Sequence, residues 1–215
     1  MKNLTEEERI FKGILYNPGN TDLKRKKLLA HNLSSQYSRT FEDQTEEREA
    51  ILSQLLDSIG EHCFIQGPIF FHYGVHTKIG NCFFGNYNLT VQDDAQVTIG
   101  DHVSFGPNVT IVTPIHPFVA SERRQMLDQN GDAASLCYAK PVSIGNDVWL
   151  SANVTVCGGV TIGDRCVIGA GSVVTQDIPE NSFAAGVPCK VIRKITNQDS
   201  MRHKPEILSD CDIIE

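Results

Sequence analysis

The chain has 215 residues, of which 40% are hydrophobic, and a formal net charge of −7 from 19 basic and 26 acidic side chains. This length suits one domain with its own core, and the negative charge argues against nucleic-acid binding as the main role. No apolar run approaches the roughly 18 residues of a membrane-spanning helix, and the N-terminus "MKNLTEEERIF" is too acidic for a signal peptide. We therefore expect a cytoplasmic protein that contacts neither membrane nor nucleic acid.

Residues 1–58 are predicted to form a small helical subdomain. "TEEE" at Thr5–Glu8 has capping-box spacing, and "NPGN" at Asn17–Asn20 is typical of a turn before the helical "LKRKKLLAHNL". A further helix is predicted in "TEEREAILSQLLDSIG", and we expect the charged side chains of this region on a solvated face. Its apolar face comprises Ile51, Leu52, Leu55, Leu56 and Ile59.

From residue 59 onward, hydrophobic residues recur with a period of six. The unbroken series is Ile144, Leu150, Val156, Ile162, Ile168 and Val174, and the same phase appears upstream in Ile59, Ile65, Phe71, Ile79, Gly85, Val91, Ile99, Phe105 and Ile111. A six-residue period fits neither an α-helix nor an alternating strand, but is typical of a parallel β-helix with about 18 residues per coil. We predict a mainly β chain, with the β-helix over residues 59–192 and a C-terminal tail at 193–215.

The period is absent over residues 112–141, which are predicted to form an extruded loop. This segment contains residues that break regular corners, namely Pro114, Pro117, Asn130, Gly131 and Pro141. Long loops on a rigid scaffold are usually functional. His116 lies at the root of the loop before a stiffening proline, and its position alone leaves a structural and a catalytic role open.

The seven cysteines are scattered without a CxxC pair, and we expect reduced thiols that pack as small apolar groups. They are Cys63, Cys82, Cys137, Cys157, Cys166, Cys189 and Cys211.

Three parts of the sequence closely resemble the galactoside and maltose O-acetyltransferases of the hexapeptide-repeat superfamily. They are "FGNYNLTVQDDAQVTIGDHVSFGPNVTI", then "HPF", then "KPVSIGNDVWL" with the later "AAGVPCKVIRKI". The similarity extends over about residues 8–195. It implies a left-handed parallel β-helix, a homotrimer, acetyl-CoA as the donor, no metal, and active sites in clefts between subunits.

The resemblance also implies roles for acceptor-side residues. His116 matches the catalytic base, and Asn86 and Asp94 match residues that bind the acceptor sugar. His72 stands where the family has a serine of the acceptor pocket, and the acidic residue expected near "LY" is replaced by Asn17 or Asn20. We therefore expect the preferred sugar to differ from a simple galactoside.

On the donor side, the resemblance implies coenzyme A contacts at Ala152, Ala170, Thr175, Gln176, Lys190 and Arg193. The family often has serine, lysine and arginine where Ala152, Gln176 and Lys190 stand. Lys190 and Arg193, together with Lys194, form a basic cluster that we expect to face the adenosine phosphates. Acetyl transfer is expected by direct attack, since no acyl-enzyme motif is present.

Three alternatives stay open from the sequence. The acceptor hydroxyl can belong to a molecule other than a sugar. Zinc carbonic anhydrases share the fold, and His72 and His76 lie four residues apart, although no third histidine ligand is fixed by the pattern. A non-catalytic assembly module would leave the loop histidine and the donor motif unexplained.

Overall fold

The computed structural model describes residues 4–127, 131 and 133–208. Within this part of the chain, helices precede a stack of short parallel strands, and a loop interrupts the stack. The helices are α1 (Glu6–Phe11), α2 (Thr21–Tyr37), α3 (Thr45–Leu55), α4 (Ala120–Arg123) and α5 (Pro205–Leu208), with 3-10 turns at Asn197–Asp199 and Met201–His203. Thr5 caps α1 with both hydrogen bonds of the predicted capping box.

The strands of the described residues are short, mostly of two or three residues. In chain order they are β1 (Ser58–Ile59), β2 (Phe64–Ile65), β3 (Ile69–Phe71), β4 (Thr77–Ile79), β5 (Phe84–Gly85), β6 (Leu89–Gln92), β7 (Val97–Ile99), β8 (Ser104–Phe105), β9 (Thr110–Val112), β10 (Pro114–Ile115), β11 (Met126–Leu127), β12 (Ala133–Ala134), β13 (Tyr138–Ala139), β14 (Val142–Ile144), β15 (Trp149–Leu150), β16 (Thr155–Cys157), β17 (Thr161–Ile162), β18 (Val167–Ile168), β19 (Val173–Val174), β20 (Ser182–Ala185) and β21 (Lys190–Lys194).

Three sheets form the faces of the β-helix. The first sheet has the order β1-β4-β7-β14-β17, the second β2-β5-β8-β15-β18-β20-β21, and the third β3-β6-β9-β16-β19. Three successive strands, one from each sheet, make a coil, so that β1–β3 form coil 1 and β17–β19 form coil 5. We name the corners by the sheets that they join: corner 1–2, corner 2–3 and corner 3–1.

The predicted β-helix is confirmed by the register of these strands. Ile79 pairs with Ile99 and Ile144 pairs with Ile162, in parallel. Every member of the unbroken six-residue series is at most 2% exposed, and these side chains form one continuous core. Gly85 has no side chain at an inward position because a Cβ there would lie 3.0 Å from the ring of Phe83.

Corner 1–2 explains the recurring "IGN" and "IGD" motifs. The backbone N–H of Glu61 donates to Oδ1 of Asn81 (2.9 Å), and that of Asp101 donates to Oδ1 of Asn146 (2.9 Å). Each Asn or Asp therefore satisfies a backbone donor of the neighbouring coil, which stabilises the stack at the turn. The glycine before it is required because a Cβ on Gly100 would lie 2.5 Å from the Asn146 side chain.

Helix α3 differs from its predicted form in two respects. Ile59 belongs to β1 and pairs with Ile79, because the backbone turns to an extended conformation at Leu56. The expectation of a solvated charged face is wrong for Arg48, which is 5% exposed. Its guanidinium donates to the hydroxyl of Tyr37 (2.8 Å) and to the carbonyl oxygen of Ile65, so it joins α2 and α3 to coil 1.

We expect Arg48→Met to lower the free energy of unfolding by about 2–3 kcal/mol, because hydrogen bonds from a buried cation are lost while the alkyl volume is kept. Chemical denaturation followed by circular dichroism measures this difference. Arg39→Met removes an exposed arginine of the same region and should change stability by less than about 0.5 kcal/mol. Equal stability of the two variants would contradict the role given to Arg48.

The loop leaves the β-helix after Thr113, and its base is held by pairing. Strand β10 runs antiparallel to β13, with Pro114 opposite Ala139 and Ile115 opposite Tyr138. The backbone N–H of Lys140 donates to the carbonyl of Thr113 (3.1 Å), and coil 4 begins at β14. The rigid coils therefore fix both ends of the loop.

No helix among the described residues is long and apolar enough to cross a membrane. The six cysteines in that part of the chain are free thiols, as expected, and Cys211 lies outside the described residues.

Candidate active site

Corner 3–1 and the root of the loop contain most of the predicted acceptor-side residues. His72 follows β3 in coil 1, and Asp94 follows β6 in coil 2. His116 comes directly after β10, just beyond coil 3, and is exposed. Since coils stack about 4.8 Å apart, this order places the base candidate one to two coils beyond the acceptor-side residues along the axis.

The segment between α1 and α2 covers this corner. Tyr16 exchanges two backbone hydrogen bonds with Cys137, of 2.9 and 3.2 Å, next to β13. Its hydroxyl donates a short hydrogen bond to Oδ1 of Asp94. Tyr16 is 0% exposed and Asp94 is 2% exposed, so the predicted sugar contact Asp94 lies beneath the N-terminal segment.

Asn17, the predicted acceptor contact of this N-terminal segment, is half-buried and forms hydrogen bonds within the segment and to α1. Its side-chain oxygen accepts from the backbone N–H of Gly19 (2.9 Å), and its own N–H donates to Glu6 (2.6 Å). Asn20, the alternative position, caps α2 through the N–H groups of Asp22 and Leu23. A carboxylate does contact Asn17, and it is that of Glu6.

Lys27 brings a positive charge to the buried carboxylate. Burial lowers the pKa of Lys27, and the charge of Asp94 partly opposes this effect. Burial raises the pKa of Asp94, while the hydrogen bond from Tyr16 and the charge of Lys27 favour its ionised form. Lys27 also donates to the carbonyl of Pro18 (2.8 Å), which fixes the turn before α2.

His72 forms a pair with His31 of α2. Nε2 of His31 lies 3.3 Å from Nδ1 of His72, and the ring of Phe70 lies 4.9 Å from that of His31. Burial, with the nearby charge of Lys27, lowers the pKa of His72 to about 4. A neutral imidazole therefore stands at this position near pH 7, able to exchange hydrogen bonds with a hydroxyl.

His76 joins α1 to corner 3–1. Nδ1 lies 2.9 and 2.8 Å from the carbonyl oxygens of Asp93 and Asp94, and Nε2 lies 3.0 Å from the carboxylate of Glu7. Burial alone would raise the pKa of Glu7, but the hydrogen bonds from His76 and Lys26 outweigh it and lower the pKa. Both ring nitrogens of His76 are therefore engaged by protein atoms. Across the described ranges, no group of three His, Cys, Asp or Glu side chains is arranged to hold a metal ion.

The remaining predicted residues lie on two corners and on the last strand. Asn86, Ala152 and Ala170 follow strands of the second sheet, at corner 2–3. The carbonyl of Ala152 accepts from the N–H of Gly171 (2.9 Å), which fixes coils 4 and 5 against each other there. Thr175 and Gln176 follow β19 at corner 3–1, and both are exposed.

The C-terminal cations lie on β21, which is exposed along its length. Lys190 pairs with Ala185, and Arg193 lies opposite Phe183 with its guanidinium carbon 5.7 Å from the ring centroid. Arg193 also forms a bidentate ion pair with Asp199, with distances of 2.7 and 2.8 Å. A phosphate must therefore compete with Asp199 for this guanidinium.

Known proteins share this architecture. Residues 141–176 match the family described as bacterial transferase hexapeptide (six repeats), and residues 9–60 match the maltose acetyltransferase hexapeptide capping motif. The galactoside O-acetyltransferase of Escherichia coli K12 is 41% identical over 197 residues, 92% of this chain and 93% of that protein. The structure of a galactoside acetyltransferase in complex with coenzyme A gives a TM-score of 0.84 at 40% identity, over 92% of this chain and 94% of the other. A maltose O-acetyltransferase from Clostridium difficile 630 gives 0.83 at 39% identity, over 90% and 98% of the two chains.

The chain belongs to the hexapeptide-repeat galactoside and maltose O-acetyltransferase family. The resemblance found in the sequence is confirmed, and the chain is an acyltransferase. In this acetyltransferase, Tyr16 and His76 contact Asp94, the expected acceptor contact of corner 3–1.

Sequence reasoning missed four residues that lie around corner 3–1 of the candidate site: Tyr16, Lys27, His31 and Tyr73. Their partners are distant in the sequence, 78 residues for Tyr16 with Asp94 and 41 for His31 with His72. No local spacing can reveal such pairs. The one available signal was the position of Tyr16 next to Asn17, in the part of "GILY" that already matched the family.

Proposed function

We propose that this chain transfers the acetyl group of acetyl-CoA to a sugar hydroxyl, with His116 as the general base. The observation that supports this most directly is the similarity to galactoside O-acetyltransferase over 92% of the chain. A related structure contains coenzyme A, and another contains acetyl coenzyme A, which supports acetyl-CoA as the donor.

A base is needed because a sugar hydroxyl is almost never ionised near pH 7, whereas the thioester is already activated. His116 takes the hydroxyl proton as the oxygen attacks the thioester carbonyl, which contributes about 10² to 10⁴ in rate. The tetrahedral intermediate collapses to the acetyl ester and the thiolate of coenzyme A, which takes the proton back. Backbone N–H groups near Ala152 are proposed to stabilise the oxyanion.

The distribution of the proposed residues supports a homotrimer. Asn86, Ala152 and Ala170 belong to corner 2–3, whereas His72, Thr175 and the root of the His116 loop belong to corner 3–1. The width of the third sheet, roughly 10 Å for strands of three residues, separates these corners within one chain. A cleft that uses both sets therefore needs two copies, and cyclic closure of such heterologous contacts gives a ring. The resemblance to the family supports three subunits in that ring.

The donor side of this cleft is proposed to include Lys190 and Arg193 as phosphate contacts. We expect Asp199→Asn to lower the KM for acetyl-CoA severalfold, because it releases Arg193 from its ion pair for a charge-assisted bond to phosphate. Steady-state kinetics at low ionic strength measures this effect. Asp43→Asn, at an exposed acidic residue of the N-terminal helical region, is the matched control for the lost charge. An unchanged or raised KM in Asp199→Asn alone would remove Arg193 from the donor site.

The test of the function is release of the free thiol of coenzyme A from acetyl-CoA with a panel of acceptors. The panel includes glucose, maltose, a simple galactoside, serine and a hydroxylated antibiotic. Turnover with at least one sugar, and formation of its acetyl ester by mass spectrometry, is the expected result. Turnover confined to serine or the antibiotic would instead support the transferase with a non-sugar acceptor.

A further inference from the structure

Two buried side-chain polar atoms of the described residues have no hydrogen-bond partner there: the hydroxyl of Tyr73 and Oδ2 of Asp94. Tyr73 is 1% exposed and Asp94 is 2% exposed. Leaving a buried polar group unpaired destabilises the folded protein, so each such group requires an explanation. That both belong to corner 3–1 points to a ligand of that corner.

The ring of Tyr73 is held firmly, so its hydroxyl has a defined position. The ring of His76 stacks on it at a centroid distance of 4.9 Å, and the ring of His72 meets it edge-on at 4.9 Å. Its backbone N–H donates to the buried carboxylate of Asp93 (2.8 Å). Tyr73 and Tyr16 pack in one apolar cluster. Burial of Tyr73, followed by the charge of Asp94, raises the pKa of Tyr73.

The two unpaired atoms have complementary chemistry. The phenol offers a proton and needs an acceptor, whereas the carboxylate oxygen needs a donor. A hydroxyl group supplies both, since it accepts from Tyr73 and donates to Asp94. An ammonium group lacks the acceptor, and a second carboxylate lacks the donor and would repel Asp94.

Tyr16 closes this position from the N-terminal side. Its hydroxyl donates to the other oxygen of Asp94, as a sugar hydroxyl would, and its side chain is completely buried. The closure is complete within one chain, and adding further subunits only removes more surface from solvent. A ligand therefore reaches Asp94 only when the side chain of Tyr16 moves.

We propose that Tyr73 and Asp94 form a pocket for a second hydroxyl of the acceptor, and that Tyr16 closes this pocket until the acceptor displaces its hydroxyl from Asp94. Tyr73 is then a binding residue, and Tyr16 determines acceptor specificity by competing with the substrate. The inference rests on the proposed function, because it concerns the acceptor of that same reaction. It predicts opposite effects of two conservative Tyr→Phe changes.

Tyr73→Phe removes only the donor and should raise the acceptor KM about 10-fold, with the KM for acetyl-CoA unchanged. Tyr37→Phe is the matched control, because Tyr37 is also buried and its hydroxyl donates to Ile65 (2.5 Å) beneath α2 and α3. That control should lose stability without a change in acceptor KM. If a structural water occupies the pocket instead, Tyr73→Phe will behave like Tyr37→Phe, and the proposal is overturned.

Tyr16→Phe removes the competing hydroxyl and should lower the acceptor KM about three- to tenfold, because a larger fraction of the enzyme is open to the acceptor. A raised KM in a variant that remains folded by circular dichroism would overturn the closing role. Calorimetric titration of the sugar into enzyme saturated with coenzyme A gives the same comparison without turnover. Should Tyr16→Phe fail to fold, Tyr16→Leu tests the same direction.

Deoxy analogues of the preferred sugar identify the hydroxyl. One analogue should lose about 10-fold in kcat/KM with the wild-type enzyme and clearly less with Tyr73→Phe, in which only the bond to Asp94 is left to lose. Equal losses in both enzymes for every analogue would overturn the pocket. Absence of all sugar turnover in the wild-type enzyme would instead count against the proposed function, so the two failures are distinguishable.

Discussion

His116→Ala is expected to lower kcat by at least about 100-fold while leaving acetyl-CoA binding nearly intact. The physical reason is that the hydroxyl loses its only proposed proton acceptor, whereas the donor contacts lie at other residues. The loop root that positions His116 is held by backbone pairing of β10 with β13, so loss of the imidazole should leave the loop in place. Single-turnover kinetics measures the loss of rate, and calorimetric titration of coenzyme A measures donor binding.

A second histidine provides the control for His116→Ala. His102 is exposed and lies at corner 1–2 with a φ of 56°, a conformation that asparagine tolerates. His102→Asn should keep wild-type kcat. A His116→Ala enzyme that retains a tenth of the wild-type kcat would remove His116 from the role of base.

Mixed trimers test whether the cleft uses two chains. His116→Ala and Asn86→Ala change residues on different corners, and each variant alone should be strongly impaired, by at least about 100-fold and 10-fold respectively. When the two are unfolded together and refolded as a mixture, random assembly gives about a quarter of clefts with both residues intact. We expect about a quarter of wild-type activity.

Two controls make the mixing result specific. Combining the folded variants without unfolding should give only the mean of the two parents, about 5% of wild-type activity or less. Light scattering should report trimers for each variant and for the mixture. A refolded mixture no more active than that mean, or a fully active monomer, would contradict a site shared between subunits.

The β-helix could be predicted because its determinants are local and periodic. Each inward residue from Ile144 to Val174 recurs at a fixed interval, and corner 1–2 repeats a glycine followed by Asn or Asp in coils 2 to 5. The helical region was predicted less well, because the burial of its side chains depends on which surfaces the helices pack against. Nothing in the sequence around Arg48 indicates that its guanidinium donates hydrogen bonds to carbonyl oxygens of coil 1.

The candidate site also contains one residue that the sequence reveals and contacts that it does not. His116 could be found from the interruption of the period, which is visible in the sequence alone. The closing of Asp94 by Tyr16 could not, because the two residues meet across 78 positions and their contact depends on how the N-terminal segment folds over corner 3–1. For His72, the sequence identified a departure from the family, and only the structure identified its partner His31.

The loop also separates coils 3 and 4 along the chain. Paired residues on either side of it, such as Ile99 with Ile144, are 45 positions apart, whereas those of coils 4 and 5, such as Ile144 with Ile162, are 18 apart. Closing the longer connection costs only about 0.8 kcal/mol more in chain entropy, since this term grows with the logarithm of length. Insertion of a functional segment between two coils is therefore thermodynamically cheap, and its main effect is kinetic, because this junction has the highest contact order between adjacent coils and should form late in folding.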